Sequence, residues 1–150
     1  MKRFLFVCTG NICRSPAADA VLREHAAQQG LDIESDSAAT HGYHIGDAPD
    51  HRGVKLGAKR GYDLSVLRAR KVEVSDFHDF DVILAMDNGH YEILEAMKPQ
   101  GATAELVMFM EYALGRAGID VPDPYYGDMR DFEIMYDMIE DGISAIIKKI

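Results

Sequence analysis

Apolar residues fall into short unbroken runs, separated by stretches in which they recur every three or four positions. The first run, residues 4–7 in MKRFLFVC, has the continuous apolar character of a strand buried on both faces of a parallel sheet. After a short polar loop come Ala17, Ala18, Val21, Leu22 and Ala26 near helical spacing. Ser15 stands before them as a cap, Pro16 at a first helical position, and Gly30 closes the helix. Residues 31–37 read as a second strand, 40–50 as a Gly/Pro/Asp-rich loop, and the residues up to Gly61 as a weaker helix. Residues 81–86 predict a third strand running into a helix capped by Asp87, with Ile93, Leu94 and Met97 on one face and Lys98-Pro99 at its end. Residues 103–109 predict a fourth strand and residues 121–128 a Pro-rich loop. The clearest helix is the last: Phe132, Met135, Ile139, Ile143, Ile146 and Ile150 step by three or four, Asp128 can cap it, and Lys148 and Lys149 complement its dipole.

Strands alternating with helices predict an α/β fold of three layers: a central four-stranded parallel sheet in flavodoxin-like order, helices on both faces, and right-handed crossovers. No internal repeat or low-complexity tract appears, so residues 1–150 read as one domain. Such sheets bind ligands beyond the carboxyl ends of their strands. The loop after strand one is therefore the first place to look.

Composition narrows the function. With 25 acidic against 16 basic residues the formal charge is −9, and no Lys/Arg run exceeds two, which argues against nucleic acid as a partner. The apolar runs are far short of the ~20 residues that span a bilayer. The basic-then-apolar N-terminus resembles the start of a signal peptide, but its run stops at Val7 before a Gly-Asn turn and reads as a strand. Two cysteines, Cys8 and Cys13, are too few for a disulfide framework or a structural zinc site and fit a reducing cytoplasm.

The first loop reads Cys8-Thr9-Gly10-Asn11-Ile12-Cys13-Arg14-Ser15. Gly10 and Asn11 tolerate positive φ, so the chain can curl until successive N–H groups form an anion-binding nest, and the following helix adds its positive end. Arg14 supplies a planar fork for phosphate oxygens. Ser15 can cap the helix and reach back toward the sulfur. Helix N-termini and adjacent cations favour thiolates, so Cys8 is expected to be an anionic nucleophile at neutral pH. The nucleotide loops GxGxxG and GxxxxGK[ST] are both absent. Cys-x5-Arg-Ser alone is a weak pattern; between a strand and a helix, with Gly-Asn in its bend, it is strong. Taken alone, Cys13 divides between packing at the helix start and a redox partner.

Three segments in order, VCTGNICRSP near the N-terminus, DSAATHGYHIG at 36–46 and DPYYGD at 123–128, resemble the low-molecular-weight protein tyrosine phosphatases, from first strand to last helix. The resemblance implies hydrolysis through a phosphocysteine, with Cys8 as nucleophile and Arg14 with the amides of Thr9, Gly10, Asn11, Ile12, Cys13 and Ser15 binding phosphate. It makes Asp123 the general acid and then base, and calls for no metal or other cofactor. Asn11, Ser15 and Ser37 match positions that hold the loop's shape; Tyr43, Tyr125 and Tyr126 match the aromatic rim that favours phosphotyrosine. Cys13 matches the second cysteine that forms a reversible disulfide with the nucleophile in relatives. The chain departs from the family at Leu67, where a histidine is common; His41 or a water is a candidate substitute, although histidines of a Gly-rich loop are usually solvated, which also makes His41 and His44 a poor metal site.

Two other readings remain. Thioredoxin-coupled arsenate reductases share the fold and a similar loop but need further cysteines downstream, and none follows Cys13. A non-catalytic phosphate-binding module would have no use for a nucleophile and a distant Asp. The partners implied are phosphotyrosine proteins, a bacterial tyrosine kinase among them, with the protein itself a monomer or weak dimer in the cytoplasm. The acidic residues of 131–141 are expected to form a solvated face.

Overall fold

The computed structural model describes all 150 residues, Met1 to Ile150. Four strands, β1 (Lys2–Cys8), β2 (Ile33–Ala39), β3 (Val82–Ala85) and β4 (Glu105–Met108), form one parallel sheet in the order β2-β1-β3-β4. Six helices connect or flank them: α1 (Arg14–Gln29), α2 (His51–Arg60), α3 (Asp76–Asp79), α4 (Asn88–Met97), α5 (Phe109–Leu114) and α6 (Met129–Lys148). This is the flavodoxin-like order expected from the alternation of strands and helices.

The pleat divides the core in two, because successive strand residues point to opposite faces. Phe4, Phe6 and Cys8 of β1, with Val82 and Leu84 of β3, pack beneath α1, α5 and α6. Leu5, Val7, Ile83 and Ala85 face the other way, onto Phe77 of α3 and Leu94 of α4. The last helix carries the largest share of the first layer: Phe132, Met135, Tyr136, Ile139 and Ile143 are fully buried. Asp128 caps it in a reciprocal capping box with Asp131. At Gly142 a Cβ would stand 2.4 Å from Phe109 Cζ, so the close approach of α5 to α6 depends on glycine. Asp131, Glu133, Asp137 and Asp141 lie on the exposed side of α6.

Several element boundaries differ from the sequence expectation. Strand β2 lies two residues later than 31–37, because pairing with β1 sets its register: Lys2 pairs with Ile33 and Cys8 with Ala39. Helix α1 begins at Arg14, its N-cap is Cys13 without a side-chain cap, and Ser15 and Pro16 are its second and third residues. The Ser15 hydroxyl is turned to the loop instead of capping the helix. Phe109 opens α5 rather than ending β4, and Ile150 lies beyond α6, 52% exposed.

Candidate active site

The loop between β1 and α1 sits at the carboxyl end of the sheet, between two strand ends. Thr40 N–H donates to the Cys8 carbonyl and His41 N–H to that of Thr9, while Asp50 N–H reaches the Ile12 carbonyl. The carbonyls are thus tied outward. None of the N–H groups of residues 10–14 donates to a protein acceptor, which leaves five donors beside a helix N-terminus. Asn11 is the single non-glycine residue with positive φ, at 58°. Gly10, expected to share that role, does not adopt positive φ; its missing side chain leaves room for the His44 ring, since a Cβ would be 3.0 Å from His44 Cδ2.

Cys8 is buried, its Sγ 2.9 Å from Ser15 Oγ and 3.4 Å from Ser15 N, which donates to it. Asn11 Nδ2 donates to Ser15 Oγ at 2.7 Å, and Asn11 Oδ1 accepts from the Arg70 N–H at 3.1 Å. Arg70 is itself held by Asp36 and Asp76. A backbone amide thus fixes Asn11, while Leu67 packs, partly buried, against the larger core cluster. His41 takes no part in this network: it stacks on Tyr43, centroids 5.0 Å apart, and contacts Thr40 Oγ1. Ser37 also stays outside it. Its register partner is Phe6, two residues back from Cys8, and its hydroxyl makes no hydrogen bond, whereas Ser15 Oγ reaches the Ala38 carbonyl at 3.4 Å.

Arg14 is 3% exposed. Its Nη1 donates to Asp87 Oδ2 at 2.8 Å and to the Val121 carbonyl at 3.0 Å. Its Nε has no partner although it is buried. Nη2 lies 3.7 Å from Asp123 Oδ2. Asp123 sits on the exposed loop before α6, with Oδ1 accepting from the Tyr125 N–H. Together Cys8, Thr9, Gly10, Ile12, Cys13, Arg14, Tyr43, His44, Asp123, Tyr125 and Tyr126 line one cleft of about 170 Å³. The cleft thus brings together residues from three separated segments.

His44 is more than a solvated loop residue: it covers Gly10, tilts against Tyr125 and pairs with Asp47 at 3.2 Å. No group of three or more His, Cys, Asp or Glu side chains is placed to hold a metal ion. Burial first, then the negative charges of Asp50 and Cys8, push the Cys13 thiol well above the ordinary thiol range.

Three residues that the sequence reading passed over belong to the site. Asp87, read only as a helix cap, accepts from the His90 N–H and also pairs with Arg14. Burial opposes its charge, but the His90 amide, His90 itself and Arg14 together hold its carboxyl below the usual range. His90 is 3% exposed and contacts Thr9 Oγ1 at 2.7 Å; burial, and then Arg14, lower it to about 4. Arg52 of α2 grips Asp50 and donates to the carbonyls of Tyr125 and Gly127, tying the loop that carries Asp123 to the body of the protein. An Asp-x-x-His pattern at a helix start is the one sequence signal that pointed toward His90; Arg52 carried none.

Fold and site together define a class: an α/β protein in which a thiol and an arginine converge in a cup of unpaired backbone amides at the end of the first strand, with a carboxylate at the rim. The family model for low molecular weight phosphotyrosine protein phosphatases matches residues 3–150, and the chain belongs to that family. It is 40% identical over 149 residues to the low molecular weight phosphotyrosine protein phosphatase of Schizosaccharomyces pombe, covering 97% of this chain and 95% of that one. The crystal structure of a protein tyrosine phosphatase from Entamoeba histolytica matches with a TM-score of 0.92 at 38% identity, over 99% of this chain and 96% of that one. A drosophila arginine phosphatase matches with a TM-score of 0.91 at 30% identity, over 99% and 97%. The protein is a phosphatase. No helix is long and apolar enough to cross a membrane.

Proposed function

We propose that the protein hydrolyses phosphotyrosine in two displacements at phosphorus, through a phosphocysteine on Cys8. The observation that carries this reading is the shared cup: Cys8, Arg14 and Asp123 line one cleft, the N–H groups of the loop at residues 10–14 have no protein acceptor, and Arg14 Nε is without a partner. In the first step the Cys8 sulfur attacks phosphorus and the bond to the phenolic oxygen breaks, while Asp123 gives that oxygen its proton. In the second, the Asp123 carboxylate takes a proton from water, the water oxygen attacks phosphorus, and the S–P bond breaks to return the thiolate and release inorganic phosphate. The loop amides and Arg14 hold the three non-bridging oxygens throughout. Ser15 supplies the departing sulfur with its amide and its hydroxyl, whose proton has the sulfur at 2.9 Å as a nearer acceptor than the Ala38 carbonyl at 3.4 Å.

The walls of the cleft support an aryl phosphate. Tyr43 is 71% exposed and Tyr126 91%, so both stand clear as rim posts, and Ile12 and Tyr125 add apolar surface below. The likeness to an arginine phosphatase makes phosphoarginine the competing substrate. Parallel kcat/KM measurements on phosphotyrosine and phosphoarginine peptides decide: the aromatic rim predicts preference for phosphotyrosine, and the opposite order rejects it. Substrate trapping with Cys8→Ser is expected to capture a phosphotyrosine protein, with a tyrosine kinase as the proposed partner.

Cys13 is proposed as a redox partner of Cys8. Both are free thiols beside the cleft, which suits a reducing compartment such as the cytoplasm. Once peroxide has converted Cys8 to a sulfenic acid, attack by the Cys13 sulfur would form a disulfide and release water. Peroxide-inactivated protein should then recover activity with dithiothreitol, and Cys13→Ser should not; equal recovery of the two would reject the role.

A further inference from the structure

Arg14 has five N–H bonds to place. Two, on Nη1, are taken by Asp87 and the Val121 carbonyl. The opposite edge, Nε with Nη2, is the side-on fork that can grip two oxygens of a phosphate, and Nε is the atom without a partner. What fixes the turn of that edge comes from α4. His90 Nε2 lies 3.4 Å from Arg14 Nη2 and 2.7 Å from Thr9 Oγ1, and Thr9 Oγ1 lies 3.5 Å from the same Nη2.

Arginine can only donate, so the ring nitrogen facing it must present a lone pair. The ring proton then sits on Nδ1, which faces Asp87 Oδ1 at 3.2 Å at an angle that makes no hydrogen bond, so the carboxylate favours this tautomer through its charge. With Nε2 as acceptor, the Thr9 hydroxyl must be the donor, and its oxygen is left to face Arg14. All four groups agree on one polarity: carboxylate, imidazole N–H, imidazole lone pair with the threonine hydroxyl, guanidinium.

We propose that His90 is a positioning residue for the phosphatase reaction: as an Nδ1–H tautomer backed by Asp87, it holds Thr9 and the Nη2 edge of Arg14 so that the Nε–Nη2 fork faces the phosphate. This deepens the proposed role of Arg14 and rests on it. His90 meets the chemistry only through Arg14 and Thr9, and it joins the end of β3 to the loop after β1 across 76 residues.

The test compares His90→Leu, which fills the space without an acceptor, with His90→Gln, which restores an acceptor oxygen. Leaving Thr9 and Arg14 without that partner should raise the Ki of inorganic phosphate by about tenfold or more in the leucine protein, with KM for p-nitrophenyl phosphate rising more than kcat falls. The glutamine protein should recover most of the loss. An unchanged phosphate Ki in His90→Leu, or equal losses in the two proteins, would overturn the inference. Nitrogen-15 NMR of the unmodified protein is independent of whether the variants fold: an unprotonated Nε2 at neutral pH is expected, and a proton on Nε2 overturns the inference. Arg14→Lys separates this from the underlying reading. If it leaves the phosphate Ki unmoved, the cup itself is misread; if it weakens phosphate and His90→Leu does not, the role of His90 alone falls.

Discussion

Asp87 does two things with one carboxylate: Oδ1 accepts the His90 N–H and starts α4, while Oδ2 anchors Arg14. The residue scale of this protein is made of such double uses, and pH exposes one of them. His90, buried and beside Arg14, is held at about 4, while a histidine in an unfolded chain titrates near ~6.5. Above ~6.5 it is neutral in both states and adds no pH dependence. Between ~6.5 and 4 the unfolded chain binds the proton and the folded one does not, so stability falls as pH falls, by about 2–3 kcal/mol over that window. Urea unfolding of the unmodified protein and of His90→Gln from pH 7 to 4.5 should show a shallower decline in the glutamine protein. Parallel declines would mean that His90 is not buried in its neutral form. Cys8 and Arg14 were legible in the sequence from their residue types in a strand–loop–helix unit, and Asp123 only through the resemblance of DPYYGD to the family. Asp87 and His90 were not, because capping already accounted for Asp87 and their second contacts lie across more than seventy residues.

Among the elements, the loop at 121–128 carries the proposed acid and two of the rim tyrosines; Arg14 holds its start at Val121, and Arg52 anchors its far half. Arg52 lies over the Phe132 ring at 4.7 Å, is clasped by both oxygens of Asp50, and donates to the carbonyls of Tyr125 and Gly127. Removing it should let Asp123 drift while leaving Cys8 and the anion cup in place. Arg52→Met is expected to lower turnover about ten- to hundredfold on phosphotyrosine, whose leaving group needs a proton, and much less on p-nitrophenyl phosphate. Equal losses on both substrates would place Arg52 in the cup rather than behind the acid. Most elements were readable from apolar spacing, α6 best of all, because its stripe faces a continuous core. Two were not. Helix α3 is a single turn, and α5 begins at the residue after β4, so its apolar residues read as a continuation of the strand. The shift of β2 has the same origin as many register errors: its first residues are largely polar, and only pairing with β1 places them.

For the whole molecule, an acidic chain of charge −9 acts on a dianion. The two are compatible because attraction is concentrated at short range, in unpaired amides, a helix end and a buried arginine, while the acidic side chains of α6 face solvent. The proposed mechanism turns on a covalent bond between Cys8 and phosphorus. The most direct measurement is rapid acid quench of the enzyme with an aryl phosphate, followed by mass spectrometry of the peptide containing residues 8–14. Asp123→Asn with p-nitrophenyl phosphate, whose leaving group needs little protonation, is expected to slow hydrolysis more than formation and so let the intermediate accumulate. A phosphoryl group on Cys8, absent from Cys8→Ser, is the predicted result. Continued turnover by Cys8→Ser at the parent rate, or turnover with no phosphate on Cys8 at any time, would contradict it.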